Sequence, residues 1–454
     1  MANDAGEKSP DPSVFFAPNS HRQLFVHDTA IVRDMNYPSQ ISDAQRFFAE
    51  RALWLAQPDD MVVLADPIEP AYLQYVRDQN LGPKRPPSVP YSVSGSGAPS
   101  CLTDRILANP DWLETIGDWV NAAPSDIALS SFCTTPETVQ LSKLLADRFR
   151  QAVPTTDNAQ AIGRANEKVF VRQGLENTGI AQIRGTVVET WGNDARRTTD
   201  LLWRQVSEIL ADTPRAMIRA NRSSAGTGNF IAGPGDRNRL EAWLSERTQT
   251  DAYLVEAFLT AHSSPNIQYW IDSDSSAHFI TATDQRLNGV TVYNGNRYPA
   301  ATVSIQEMQA LSSQVLDWLA AQGVRGLIGI DYLETEGPHG HRGLQFVEVN
   351  ARYNASSYAT AIWLQINRMR GLCGQLPLTH WQMYRLVRTP LRTFSALRDR
   401  THDILYYPGA CAGVVPFWTG ALAHGLFGCV SMGRSLEEIE SLEAEFLSRV
   451  SDPP

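Results

Sequence analysis

The stretch FVEVNARYN, Phe346 to Asn354, sets Glu348, Asn350 and Arg352 two positions apart in a run of strand-forming residues. A strand alternates its faces, so the three side chains project from one side. Such a face is either the solvated side of a half-exposed strand or a site. Upstream, GLIGIDYLE reads as a second strand and TEGPHGHRG as the turn between them. If Leu327 to Leu333 pairs antiparallel with Leu344 to Asn350, Asp331 stands beside Glu348 and Asn350. Two carboxylates and a carboxamide oxygen are the hard ligands Mg²⁺ takes, with the phosphates of ATP completing an octahedron.

The elements that must position these residues lie before them in the chain. A strand in PRAMIRANRSSAGTGNFIAG carries Arg219 and runs into a loop with Ser223, Ser224, Gly226 and Gly228. Small residues let backbone N–H groups approach phosphate oxygens closely, although the same glycines also serve a hairpin. The chain has no G-x-x-x-x-G-K-[ST], which excludes the P-loop class. DAYLVEAFL is an apolar strand bearing Glu256, and IQYWIDSDSSAHFITATDQ reads as a hairpin turning at Asp272 to Ser276. Helices are expected in NEKVFVRQGLENTG, which holds Lys168, and in SIQEMQALSSQVLDWLAAQG.

The N-terminal third has a different grammar. MVVLAD and DIALSS are strands, each followed by a helical pattern, EPAYLQYVRDQNLG and PETVQLSKLLADRFRQAV, giving β-α units of a parallel sheet over residues 60 to 153. It lacks G-x-G-x-x-G, so a dinucleotide is not indicated. Before it, SDAQRFFAERALWLAQ suggests a helix near Ser42 to Gln57.

With 454 residues the chain is expected to form two or three domains or one large elaborated α/β unit. A net charge of -10 argues against a nucleic-acid backbone as partner. Five scattered cysteines without a C-x-x-C pair point to neither a disulfide framework nor zinc, and fit a cytoplasmic setting. No secretory signal is read at MANDAGEKSPDPSVFF. Ile404 to Gly433 contains no Asp, Glu, Lys or Arg, but its prolines and glycines mark buried strands or loops rather than a membrane span.

In this order and over roughly residues 155 to 370, the landmarks resemble the ATP-grasp superfamily. The resemblance implies α/β and α+β architecture: a Rossmann-like pre-ATP-grasp domain (1–153), an ATP-grasp fold of two α+β subdomains (154–375) with a lid at about 185–262, and a small C-terminal domain (376–454) packing on the substrate side. It also implies that Lys168, Arg219, Glu256 and the Ser/Gly loop hold ATP with Mg²⁺ on Asp331, Glu348 and Asn350. Ala257, Phe258 and Leu259 continue the adenine-side strand, and Asn266 lies nearest to the position of the ribose-binding acid. Arg352 matches the E-x-N-x-R arginine beside the acyl phosphate, as a catalytic residue.

The whole chain, including its tail from about Thr389, is similar to carboxylate-amine ligases of natural-product and antibiotic assembly, of the kind that joins peptides in pheganomycin. That likeness implies an amino-acid-like acid and a peptide amine as small-molecule substrates, joined with release of ADP and phosphate; a homodimer is compatible with it. Carboxylase or kinase chemistry and a nucleotide-binding protein without catalysis are the alternatives. The chain departs from the family in having Arg219 where most members have Lys, and Gly329 where some dipeptide ligases have arginine. His262, His278, His339 and His341 are candidate bases.

Overall fold

A computed structural model describes residues 22–27, 46–84, 86, 101–123, 127–149, 152–154, 158–176, 178–190, 194–223, 226, 228–246, 251–289, 292–300, 305–336 and 342–451. The N-terminal part is a four-stranded parallel sheet, β1 (Arg22–Val26), β2 (Met61–Val62), β3 (Ile127–Ser131) and β4 (Ala152–Pro154), in the order β2-β1-β3-β4. Parallel sheets are covered on both faces, and Leu24, Phe25, Val26, Val62 and Leu129 are accordingly buried. The central strand RQLFV is too short and too isolated to be found by periodicity. The helix expected near Ser42 to Gln57 is a 3₁₀ helix, Arg46–Trp54. Ala49, Ala52, Leu53 and Trp54 are all buried, so this element sits inside the molecule and lacks the two-faced pattern of a surface helix.

The second unit is an antiparallel sheet of β5 (Gly185–Glu189), β6 (Ala216–Ala220), β7 (Asn229–Ala232) and β8 (Ala252–Ala257), ordered β5-β8-β6-β7. The helices Ala195–Leu210 and Arg237–Ser245 cover it, with Leu202, Val206, Ile218, Leu240 and Val255 in a core of its own. This unit falls within the expected lid.

The third unit has nine strands: β9 (Ala261–Ser263), β10 (Pro265–Ile271), β11 (Ala277–Asn288), β12 (Val292–Tyr298), β13 (Gly326–Glu336), β14 (Arg342–Asn350), β15 (His380–Arg388), β16 (Gly413–Trp418) and β17 (Leu426–Gly433). Their order is β14-β13-β10-β11-β12-β15-β17-β16, with β9 on β13. The expected hairpin from Ile267 to Gln285 forms, its turn closed by Asp272 N donating to Ser276 O at 2.9 Å. Residues from His380 onward extend this same sheet through Arg297↔Gln382. The uncharged stretch Ile404 to Gly433 includes β16 and β17, both fully buried, and between them a 3₁₀ turn (Gly420–His424) buried at Ala421 and Leu422. Among the described residues no helix is long and apolar enough to cross a membrane.

One hydrophobic core runs through the N-terminal and C-terminal units together. Two carboxylates bolt them. Glu50 accepts from Thr419 N at 2.9 Å and Gly420 N at 2.8 Å; Glu69 accepts from Phe394 N at 2.6 Å and Ser395 N at 3.0 Å. Burial pushes the Glu50 carboxyl up to about 7 despite the two N–H donors that oppose the shift.

Candidate active site between lid and body

The site begins with strand register. Asp331 on β13 faces Glu348 on β14, Gly329 faces Asn350, and on the other side Asn266 of β10 faces Asp331. The ladder shifts between Asp331 and Tyr332, whose partners are Glu348 and Phe346. Val347 is therefore the extra residue of a β-bulge, a device that re-aims neighbouring side chains. A Cβ at Gly329 would lie 2.7 Å from Asn354 Nδ2 and 3.2 Å from Asn266 Nδ2, so an arginine has no place there and the polar cluster occupies the space.

Asp331 accepts from Asn266 Nδ2 at 2.6 Å and from Asn350 Nδ2 at 2.9 Å. Burial, and then the charge of Glu348, push its carboxyl up to about 7. Glu348 Oε2 lies 3.1 Å from Lys168 Nζ and 3.6 Å from Arg219 Nη1. Burial raises Glu348 as well, but Lys168, Arg219 and Arg352 together outweigh it and hold the group below its usual value. A buried acid forced toward its neutral form, beside a half-buried one, suits a divalent cation, whose charge would oppose that shift. Asp331, Glu348 and the Asn350 amide oxygen are the residues that would hold Mg²⁺.

Lys168 opens the helix Lys168–Leu175 and is only 8% exposed. Its Nζ donates to Ser223 O at 3.0 Å, while burial, opposed by Glu348, lowers its pKa. Arg219 of β6 is equally enclosed. Its Nε donates to Glu256 Oε2 at 2.9 Å and Nη2 to the bulge carbonyl of Val347 at 3.1 Å. Its closest carboxylate partner, Glu256, is itself buried. The other oxygen of Glu256 accepts from Arg172 Nη1 at 2.6 Å. With both oxygens engaged by arginines, Glu256 fixes the strand, and the segment Ala257, Phe258 and Leu259 lines the cleft beyond it.

The Ser/Gly loop starts at Ser223, whose Oγ donates to Ala220 O at 3.3 Å. Gly226 has φ +76°, and a Cβ on Gly228 would come within 2.3 Å of Ser223 Cβ, so glycine is required at both positions. Ser224 lies outside the described residues. Arg352 Nη1 donates to Asn166 Oδ1 at 2.5 Å, and Asn166 is pinned by Ala351 N at 3.1 Å and Ala351 O at 3.2 Å. Asn266 is in the cluster, but as a donor to Asp331. Of the histidines, His262 lines the cleft; His278 pairs with Asp272 at 2.8 Å on the hairpin, and His339 and His341 lie outside the described residues.

Lys168, Arg219, Glu256, Asp331, Glu348, Asn350 and Arg352 border one cleft of about 610 Å³. Sequence reasoning missed Arg172, Asn166, Arg51 and Arg385. Arg172 was accessible to it: four residues after Lys168, it shares that residue's helix face. Asn166, Arg51 and Arg385 carry no local signal, since tertiary packing alone brings them to the site.

A family model described as the pre-ATP-grasp domain matches residues 49–146, and one described as the ATP-grasp domain matches residues 206–356. No curated protein sequence matches the chain. Solved structures of similar fold include N5-carboxyaminoimidazole ribonucleotide synthetase in an ADP complex (TM-score 0.55, 10% identity, covering 94% of this chain and 96% of that one). The enzyme of that name from Thermus thermophilus gives 0.52 at 13% identity, over 95% and 99%. A biotin carboxylase complex from Campylobacter jejuni gives 0.56 at 13%, over 94% and 91%. The chain thus carries a pre-ATP-grasp domain followed by an ATP-grasp domain, in a mixed α/β fold.

Proposed function

We propose that the chain is an ATP-dependent ligase that activates a carboxylate as an acyl phosphate and joins it to an amine, releasing ADP and phosphate. The observation that carries this reading is the convergence of Asp331, Glu348 and Asn350 with Lys168, Arg219 and Arg352 on one cleft beneath a Gly-rich loop. Mg²⁺ on the two carboxylates and Asn350 would supply charge neutralisation at the phosphates. Lys168 and Arg219, which in this structure share Glu348, would exchange part of that partnership for phosphate oxygens. A substrate carboxylate oxygen attacks the γ-phosphorus and ADP leaves. The amine nitrogen then attacks the acyl carbon, phosphate departs with the former C–O bond, and the nitrogen loses its extra proton. Arg352, held by Asn166 at the cleft wall, is placed to stabilise the oxyanion of that step. Closure of the lid excludes water, which would otherwise hydrolyse the acyl phosphate.

The finer identity, an amino-acid-like acid joined to a peptide amine as in pheganomycin-type assembly, is what the resemblance read from the sequence implies. A second reading, activation of bicarbonate in carboxylase fashion, is favoured by Arg51 and Arg385, which line the same cleft as Arg352. The test is to incubate the protein with ATP, Mg²⁺ and a panel of acids including bicarbonate, with and without peptide amines, following ADP, AMP and new masses. ADP formation that needs both an organic acid and an amine supports the ligase; ADP formation with bicarbonate alone supports the second reading. Release of AMP and pyrophosphate would exclude both.

A further inference from the structure

Three side chains line the cleft at two-residue intervals along β6: Arg219, Met217 and, just before the strand, Arg215. Strand alternation puts them on one face. The run from Arg219 to Arg215 covers about 13 Å. Under the ligase reading the phosphates lie at Arg219, beside Lys168 and the Gly-rich loop. A nucleotide extended along this face then lays its base over Met217 and turns the far edge of the base toward Arg215.

Phe258 N donates to Arg215 O at 3.1 Å, which continues the β6–β8 ladder by one residue and sets the two side by side. Arg215 Cζ lies 4.0 Å from the Phe258 ring centroid. A ring restrains a guanidinium through its face and leaves the in-plane N–H groups for other partners. Arg215 is exposed, and among the described residues no carboxylate pairs with its guanidinium and no oxygen accepts from it. Glu256, the acid nearest along the chain, has both oxygens engaged, Oε1 by Arg172 and Oε2 by Arg219. The charged group left open at this end of the cleft is therefore a donor. Of the two common purines, adenine carries an amino group at the six-position, itself a donor, and guanine an acceptor oxygen, O6.

We propose that Arg215 reads the six-position of the purine, and that the site takes guanosine triphosphate at least as tightly as ATP. The 6-oxo group gains a charge-assisted hydrogen bond from a guanidinium already held flat on Phe258. Adenine is admitted without that bond, because an exposed arginine swings clear of the amino group. The inference rests on the nucleotide site of the ligase reading and widens the class of nucleotide it takes.

The test uses the full chain. Non-hydrolysable triphosphate analogues of adenosine, guanosine and inosine are titrated with Mg²⁺ by calorimetry. The guanosine analogue should bind at least as tightly as the adenosine one, and the inosine analogue, which keeps the 6-oxo group but lacks the 2-amino group, should follow guanosine within roughly threefold. Arg215→Met should shift the guanosine-to-adenosine affinity ratio by roughly tenfold toward adenosine. Arg215→Glu should shift it further, since a carboxylate accepts from the amino group and repels the 6-oxo oxygen. The position is exposed, and melting curves confirm that both variants fold. Binding of none of the three analogues overturns the ligase reading together with this proposal. Tighter binding of the adenosine analogue by the parent, an inosine analogue more than about tenfold weaker than the guanosine one, or a ratio unchanged in both variants overturns the proposal and leaves the ligase reading standing.

Discussion

Lys168 Nζ and Glu348 Oε2 stand 3.1 Å apart, so the first residue of a helix is paired directly with an acid of the site's central hairpin. The pair is enclosed, and Arg219 shares the same oxygen. Glu348 thus already carries the charge that a metal–nucleotide complex would meet. Glu348→Gln should lower ATP turnover roughly a thousandfold, about 4 kcal/mol of transition-state stabilisation. Steady-state ADP release measures it, and turnover within about fivefold of the parent would remove the hairpin from the reaction.

Arg219→Ala leaves Glu256 with Arg172 alone and opens the bond to Val347 O. Glu256 loses one of its two arginine partners, which should cost about 2 kcal/mol in folding stability. Affinity for a non-hydrolysable ATP analogue should fall by about 2 to 3 kcal/mol, and in Arg219→Lys by about 1 kcal/mol. Calorimetric titration of the folded variants, with melting curves beside it, separates the two effects.

Arg172 joins the helix of Lys168 to Glu256 and also donates to the carbonyls of Ile183 and Gly185, each at 3.0 Å. It therefore sits where the chain enters the lid. Arg172→Met should raise the KM for ATP by roughly tenfold with a smaller change in kcat, because binding is uniform in ground and transition state. Amide exchange at Ile183 to Gly185 should quicken in the same variant; unchanged exchange would show that this contact does not hold the lid entry.

Gly228→Ala puts a methyl group where Ser223 Cβ and Oγ lie 2.3 Å and 2.8 Å away. The loop must shift, and with it the Ser223 carbonyl that receives Lys168. Nucleotide affinity should drop about tenfold, or about 1.4 kcal/mol, while the melting temperature of the body changes little.

Glu50 has its folded pKa raised from 4.5 to about 7 by burial. A raised acid binds its proton more tightly when folded, so its contribution to stability is full below pH 4.5 and is lost as pH rises through about 7. Chemical denaturation across that window should show stability falling with rising pH, and Glu50→Gln should flatten the slope. An unchanged slope would place the titration elsewhere.

Much of the candidate site's arrangement was legible because it depends on local spacing. Glu348, Asn350 and the partner strand with Asp331 follow from period-two alternation and one turn, and the structure sets Asp331 opposite Glu348. The hairpin at Asp272 to Ser276 is also a matter of a few adjacent residues. The bulge at Val347 was not legible, since nothing in FVEVN distinguishes it from a regular strand. Nor was the engagement of Glu256 by Arg172 and Arg219, which needs residues 84 and 37 positions away. At the N-terminus, β1 was hidden because a five-residue central strand is defined by the two neighbours it joins.

The unit of β5 to β8, the proposed lid, has its own core, and ion pairs and hydrogen bonds tie it to the body at Lys168, Arg219 and Val347. Such a division lets one part lose structure while the other keeps it. Heating the free protein should give two calorimetric transitions, the smaller belonging to residues near 185–257. A ligand that touches both cores adds its binding energy only while both are intact. Nucleotide should therefore fuse the transitions into a single cooperative one, and an unliganded chain should be nicked first where the lid joins the body.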